Sequence, residues 1–359
     1  MKEAKKNLYY LTSIKFPNKK AHSIQIQKMC EALSKKFKVK LICKYDNDLN
    51  DHNFNHKLFK IIDINFPIKN RFYLLLFKII YLIQLKIDKE DILFSRDPHF
   101  AFLGILKFSN IYLELHNKYL DKSNLSYYFI LILSKFRKIN IIFISKALFE
   151  IYKKQINFKC KTIIAHDGAE LIKTKITNAL NAKLKVGYCG HLYKGRGIPL
   201  LIELANYFED IIFNIAGGLD EDLNYFKKNF KLPKNIYFHG FINHANVPEF
   251  LNKNDILIAP YEKKLGNGVK DTSEFMSPLK IFEYMSANKP IICSNHKVLN
   301  EIMNNEEALF CDPDKFIDWI KAINKFRDVT IRKYYAKNSY EKFIQSYTWE
   351  SRIKKIFND

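Results

Sequence analysis

The stretch Ser277-Pro278-Leu279-Lys280-Ile281-Phe282-Glu283-Tyr284-Met285, followed after three residues by Lys289-Pro290-Ile291-Ile292, sets a helix start and an apolar strand within sixteen residues. Ser277 is a good N-cap residue, and Pro278 at the next position has its φ already set for helix entry. Such a helix end offers unpaired N–H groups and the positive end of a dipole to an anion. Lys280 adds a full charge in the first turn. Glu283 follows at i+3 on the same face, where its carboxylate can accept two hydrogen bonds from a vicinal diol. Pyrophosphate on the helix end and ribose on the glutamate is one way to hold a nucleotide diphosphate. A solvated Lys/Glu pair is the plainer reading of the same spacing.

Outward from this point, short apolar strands alternate with amphipathic helices along the whole chain, which predicts parallel sheets covered on both faces. In the first half, strands are expected at 8–12, 39–43, 58–62, 92–95, 111–115, 141–144 and 162–165. Helices are expected at 23–36, 71–85 and 146–154. Residues 171–184 carry no strand signal and read as a linker. A second alternation has strands at 185–189, 211–216, 236–239, 256–259, 290–294 and 309–311. Its helices are expected at 198–207, 221–230, 247–251, 278–287 and 315–326. The fold class is α/β, with two doubly wound Rossmann-like domains, 1–170 and 185–335, then C-terminal helices over 336–359. Thr348 is placed to cap the last of these. Sheets of this kind bind ligands at their strand carboxyl ends, and two of them suit a two-substrate reaction.

A chain of 359 residues is too long for one ordinary core, in keeping with two domains. With 48% apolar and 27% charged residues it is a globular sequence, not a disordered one. The formal charge is +22; residues 1–170 hold 31 Lys and Arg against 15 Asp and Glu, a net +16 of that total. This suits an anionic partner such as an acidic membrane surface or a phosphate-bearing substrate, though a general Lys/Ile-rich composition accounts for part of it. Nucleic acid is not the expected partner. The aromatic residues, 15% of the chain, are spread through predicted core elements instead of alternating with Lys on one face. Six cysteines stand singly, with no C-x-x-C, as reduced thiols used for packing. The N-terminus has no apolar signal core, and the longest apolar run, 72–85, is too short to span a bilayer. The expected location is cytoplasmic, with peripheral binding at the inner face of the membrane if that run lies in the interface.

The stretch Phe275–Met285 resembles the donor motif F-M-S-P-L-K-x-x-E-Y-M of a bacterial branch of the retaining glycosyltransferases of family 4. The resemblance extends over nearly the whole chain and implies the GT-B fold, with two Rossmann-like domains facing across a cleft. It also implies a nucleotide-diphosphate sugar as co-substrate and no metal or other cofactor. On this likeness, His116, Arg196 and Lys280 are the catalytic candidates. Glu283, Ser277, Pro278, Leu279, Gly190, His191 and Gly217 would hold the nucleotide. Glu274, Phe275 and Met276, in the loop 263–276, would meet the donor sugar, and His22, Arg96 and Asn117 the acceptor. Asp167-Gly168 resembles the turn that ends the first domain, its glycine expected at positive φ. Two positions depart from the pattern: His191 stands where the motif G-R-L…K-G has its first arginine, and Phe275 where many members carry a glutamate.

Three D-x-D matches, at Asp46/Asp48, Asp220/Asp222 and Asp312/Asp314, fall in polar turns or helix starts and read as caps, not metal sites. There is no H-E-x-x-H, G-x-S-x-G or Walker loop. The expected function is metal-independent, retaining sugar transfer from a nucleotide-diphosphate donor to a polysaccharide or lipid-linked oligosaccharide. Three alternatives stay open at this point: a non-catalytic scaffold of the same fold, a sugar-nucleotide epimerase, and a basic nucleic-acid-binding protein.

Overall fold

The computed structural model describes residues 5–18, 21–46, 58–64, 79–173, 183–264 and 271–357. The chain divides into two compact units, 1–166 with 352–359, and 167–351. The divide thus falls just before Asp167, and the C-terminal helix Trp349–Phe357 starts in the second unit and ends in the first.

The first unit holds a seven-stranded sheet ordered β3-β2-β1-β4-β5-β6-β7. Its strands are β1 (Asn7–Phe16), β2 (Lys38–Tyr45), β3 (Lys60–Asp63), β4 (Ile92–Ser95), β5 (Asn110–Leu115), β6 (Ile139–Phe143) and β7 (Lys161–Ile164). Every pairing is parallel, with Leu8 opposite Ile92 across β1 and β4, and Ile111 opposite Ile139 across β5 and β6. All four residues of β4, ILFS, are buried, as a central parallel strand covered on both faces requires. Short helices cross between strands, each opened by a polar cap. Asp97 accepts from the His99 amide before Pro98–Gly104, Asn124 from Ser126 before Leu125–Leu133, and Ser145 from Leu148 before Lys146–Lys153.

The second unit holds a six-stranded parallel sheet ordered β10-β9-β8-β11-β12-β13. Its strands are β8 (Lys185–Cys189), β9 (Ile212–Ala216), β10 (Ile236–Gly240), β11 (Ile256–Ala259), β12 (Ile291–Ser294) and β13 (Ala308–Cys311). Alternation along β11 sorts its side chains between two cores. Leu257 and Ala259 join Phe282, Met285 and Phe343, whereas Ile256 and Ile258 join Leu201, Trp319 and Phe326. Both faces of this sheet are therefore covered by helices.

All thirteen strands expected from the sequence are present, with ends shifted by a residue or two except in β1, which runs four residues beyond the expected 12. The helices Pro98–Gly104, Leu125–Leu133 and Lys297–Asn300 were not expected. Of the expected helix 71–85, residues 71–78 lie outside the described residues; residues 79–84 are helical, with Leu82 buried. Most of the expected linker, 174–182, and the middle of the loop 263–276, residues 265–270, also lie outside them. Thr348 does cap the last helix, its Oγ1 accepting from the Ser351 amide at 3.0 Å. The six cysteines are free and buried. Two acid pairs act as turn caps: Asp222 accepts from the Leu219 amide, and Asp312 from that of Asp314. Asp46 pairs with Lys15, while Asp48 lies outside the described residues.

Two local expectations fail. Ser277 does not cap the helix Leu279–Ser286. Pro278 occupies the cap position, and the Ser277 hydroxyl instead accepts the Asp167 amide at 2.8 Å. A proline cap offers no side-chain acceptor, so the first amides of this helix stay open to another partner. Gly168 is not at positive φ. It is needed for close approach, because a Cβ there would lie 2.7 Å from the Tyr347 carbonyl oxygen.

Candidate functional site

In the second unit the strand order reverses between β8 and β11, and the carboxyl ends of these two strands mark the place where an open α/β sheet binds ligands. Gly190 follows β8, Pro260 and Tyr261 follow β11, and the helix Leu279–Ser286 brings Lys280 to the same point. The Lys280 Nζ lies 3.9 Å from the Tyr188 ring centre and 5.0 Å from that of Tyr261. Although the residue as a whole is only half-buried, its Nζ is enclosed and has no hydrogen-bond partner. A Cβ on Gly190 would stand 2.6 Å from this Nζ, so the glycine is what leaves space for the ammonium at the strand end. Burial, and then the neighbouring Arg196, push the Lys280 pKa well below its ordinary value.

Arg196 comes from the glycine-rich turn after β8. Its guanidinium lies 4.6 Å from the Tyr193 ring centre and 5.5 Å from that of Tyr261, and its Nη2 donates to the Tyr193 hydroxyl. Its Nε is buried without a partner. Tyr261 therefore serves as a shared π-face for two cations, and both keep unsatisfied donors at one strand end. Two such cations repel one another, and a polyanion is the ligand that would relieve both.

Glu283 lies one turn along the same helix, mostly buried, with its Oε1 accepting from His244 Nε2 at 2.8 Å. His244 stands in the short turn after β10, and nothing in its sequence surroundings marks it out. Gly217 follows β9 and donates its amide to the Gly240 carbonyl at 2.7 Å, while the Gly190 amide donates to the Ala216 carbonyl. His191 is exposed; its carbonyl accepts the Tyr188 hydroxyl at 2.5 Å, and its ring lies 5.3 Å from that of Tyr193. Its neighbour Lys194 is exposed too. Phe275 and Met276 turn their side chains into the protein, and the amides of both bond to the Thr272 carbonyl, while Glu274 is exposed. A cavity of about 230 Å³ opens beside Tyr261, Gly197 and Pro260, and of the expected site residues none lines it.

The structure thus gathers Gly190, Arg196, Lys280 and Glu283 at one end of one sheet. It adds Tyr188, Tyr193, Tyr261 and His244, which sequence reasoning missed. The tyrosines were concealed because aromatic residues next to buried strands read as core; position at the strand reversal is the signal that would have singled them out.

The first unit carries a second constellation, at the carboxyl ends of β4 and β5. Glu114 is fully buried. Its Oε1 accepts from Gln25 Nε2 at 3.0 Å and pairs with His116 Nε2, and its Oε2 accepts from Arg352 Nη2 at 2.8 Å. Arg96 Nε lies 3.8 Å away, and Arg96 Nη1 donates to Gln25 Oε1 at 2.8 Å and to the His22 carbonyl at 3.4 Å. Burial alone would raise the Glu114 pKa. Arg352, then His116 and Arg96, outweigh it and hold the carboxyl far below the usual carboxylate range. His116 and Arg96 are therefore joined through Glu114 and Gln25, and His22 meets this network by its main-chain carbonyl on Arg96. The Arg96 side chain, only 8% exposed, is mainly a member of this buried network. The Asn117 carbonyl accepts the Tyr152 hydroxyl at 2.9 Å, which does not tie it to this network.

Among the described residues no group of three or more His, Cys, Asp and Glu side chains is placed to hold a metal ion, and no helix is long and apolar enough to cross a membrane.

Residues 172–342, most of the second unit, match the model of the family described as glycosyl transferases group 1. No curated protein sequence matches the chain. Solved structures match its whole length at low identity. A glycosyltransferase from Rickettsia africae ESF-5 is 14% identical, with a TM-score of 0.76 over 99% of this chain and 97% of its own. HepE of Anabaena, solved with UDP and glucose, is 14% identical with a TM-score of 0.73 over 99% of both chains. The lipopolysaccharide outer core galactosyltransferase WaaB is 15% identical, with a TM-score of 0.69 over 98% of this chain and 99% of its own. At such identities the likeness shows the fold, and the fold is GT-B: two α/β units, each with a doubly wound parallel sheet.

Proposed function

We propose that this chain, whose residues 172–342 match the group 1 glycosyltransferase model, moves a sugar from a nucleotide-diphosphate donor to a glycan or lipid-linked acceptor, with retention of anomeric configuration and without a metal, as the family 4 motif implies. The observation that carries this reading is the pair of tyrosine-flanked cations, Lys280 and Arg196, with unsatisfied donors at the β8/β11 strand ends and Glu283 one turn beyond. The diphosphate binds against Lys280, Arg196 and the open amides of Leu279 and Lys280, while Glu283 accepts from the ribose diol. Pro278 sets the helix start, Ser277 holds the turn before it through the Asp167 amide, and Gly190, His191 and Gly217 bring main chain close to the phosphates. Negative charge grows on the leaving diphosphate as the glycosidic bond breaks. Fixed cations in a dry site stabilise that charge more than they stabilise the ground state.

The acceptor hydroxyl attacks on the face that the diphosphate leaves, and the leaving phosphate takes the hydroxyl proton. His116, oriented by Glu114, contacts the donor sugar, and the main chain of the loop ending in Glu274, Phe275 and Met276 completes the sugar site. His22, Arg96 and Asn117 mark the acceptor side. UDP in HepE and the lipopolysaccharide role of WaaB support a uridine donor and an envelope glycan as the first to test. The reading also places the protein on the cytoplasmic side of an anionic membrane, where lipid-linked acceptors are made.

A thermal-shift screen against UDP, GDP, ADP and CMP tests the core of this reading, because a ligand that binds only the native state raises its stability. At least one diphosphate should raise the melting temperature of the wild type and fail to do so for Lys280→Ala. No shift with any of them would refute it. Activity unaffected by EDTA and a product of unchanged anomeric configuration by NMR are the outcomes expected for the finer parts.

A further inference from the structure

The helix Leu125–Leu133 is apolar on both its faces. Its inner face, with Tyr127, Phe129, Ile130 and Leu133, belongs to the core, and Phe129 stacks on Phe102 at 4.3 Å. Its outer face is formed by Leu125, Tyr128 and Ile132, at i, i+3 and i+7 and therefore in line along one side. These are 50%, 46% and 41% exposed, and Phe136 extends the row at 40%. A solvated helix face ordinarily carries charged or polar residues, so a row of large apolar side chains at every exposed turn calls for a partner. Leu106, 81% exposed, follows the helix Pro98–Gly104 that packs on this one, and Lys138 Nζ donates to the carbonyl of its neighbour Ile105 at 2.9 Å.

The surroundings of this face are basic. Residues 118–146 contain six Lys and Arg and one acid, Asp121. Lys122, Lys135, Arg137 and Lys138 are exposed around the two ends of the row. An apolar row rimmed by cations, with a tyrosine whose ring is apolar and whose hydroxyl is polar, suits the boundary between acyl chains and anionic head groups. A second copy of the chain would bring the same positive rim against itself, and nucleic acid would leave the apolar row without a use.

We propose that the outer face of the helix Leu125–Leu133, with Phe136 and Leu106, is a docking surface for an anionic lipid bilayer. This deepens the reading of a lipid-linked acceptor, on which its purpose rests, and it assigns the membrane contact to a different segment from the apolar run 72–85. The apolar row enters the interface while Lys122, Lys135, Arg137 and Lys138 meet the lipid phosphates. Contact then depends on both terms, and the charge term weakens as salt rises.

The test is co-sedimentation of the full chain with vesicles of pure phosphatidylcholine and with vesicles containing one third phosphatidylglycerol. Wild type should bind the anionic vesicles at low salt at least tenfold more strongly than the neutral ones, and lose most of that binding at 0.5 M salt. Leu125→Ser/Tyr128→Ser/Ile132→Ser changes only exposed positions, so it should keep its far-UV circular dichroism and lose binding about tenfold. Lys122→Glu/Arg137→Glu should do the same through charge. Equal binding to both vesicle types, no binding by wild type, or unchanged binding by the folded triple variant would overturn the proposal. So would a wild-type dimer in sedimentation velocity that the triple variant converts to monomer, since the face would then serve self-association. UDP, GDP, ADP and CMP binding is measured on the same samples. Nucleotide binding without vesicle binding removes only the docking surface, whereas vesicle binding without any nucleotide binding removes the glycosyltransferase reading and leaves the surface standing.

Discussion

Arg352→Met should cost the first unit on the order of 3–5 kcal/mol at pH 7, the range for removing one partner from a buried ion pair. The side chains of Arg352 and Glu114 are 1% and 0% exposed, and their contact is 2.8 Å long. Methionine fills much of the same space, so little of the loss comes from a cavity. Two terms add up: Glu114 stays charged in the interior with Arg96 at 3.8 Å, and the His166 carbonyl loses a donor at 2.7 Å. The second term alone is worth about 1 kcal/mol. Glu114→Gln in the same background removes the stranded charge. The double variant should therefore recover at least ~1.5 kcal/mol relative to the sum of the two single losses. Urea unfolding followed by circular dichroism, with hydrogen exchange on β5 and β6 to assign the transition to the first unit, measures each corner. The loss in Arg352→Met should also shrink as pH falls, because Glu114 without its arginine takes up a proton more readily. A loss below about 1 kcal/mol, or strict additivity, would mean that the C-terminal helix is held by its apolar face and that the buried pair adds nothing.

Lys280→Ala and Arg196→Ala should each lower turnover by about 10²-fold or more, with a smaller fall in donor affinity, as measured by steady-state kinetics and calorimetry. Glu283→Gln should weaken nucleotide-diphosphate binding by about 1–3 kcal/mol, and His244→Ala by less, because His244 only orients the carboxylate. An unchanged affinity in a folded Glu283→Gln variant would rule out the ribose contact. In acid, stability should fall in two steps. Burial, then Lys355 and Arg352, push His166 down to about 4, so the unfolded state gains its proton first and stability declines as pH falls from about 6.5 to 4. The depressed Glu114 carboxyl adds a further loss below its unfolded value of about 4.5. His166→Phe should remove the upper step in pH-dependent urea midpoints.

Helices were less legible than strands. Leu125–Leu133 gives no amphipathic period because both of its faces are apolar, so periodicity had nothing to register; its Asn124 cap was the one available sign. Pro98–Gly104, with Asp97 as its cap, is too short to show a period. At the candidate site, Lys280, Arg196 and Glu283 were readable because charged residues stand out beside a helix start and a glycine-rich turn. Tyr261 and His244 were not, since their roles depend on neighbours from other strands.

The alternation of thirteen apolar strands with helices, the chain length and the glycine-rich turn after β8 determined two doubly wound parallel sheets before any coordinates, because burial on both faces forces continuous apolar runs. Ser277 shows the limit of that reasoning. As a sequence it is an N-cap, yet its hydroxyl is taken by the Asp167 amide, 110 residues away. Only the tertiary structure could set Lys280 and Arg196 around one tyrosine ring, or bring Arg352 to Glu114 across 238 positions of chain. Local propensity is a property of neighbouring residues, whereas a buried charge is settled by whichever partners the packed fold brings within hydrogen-bonding distance.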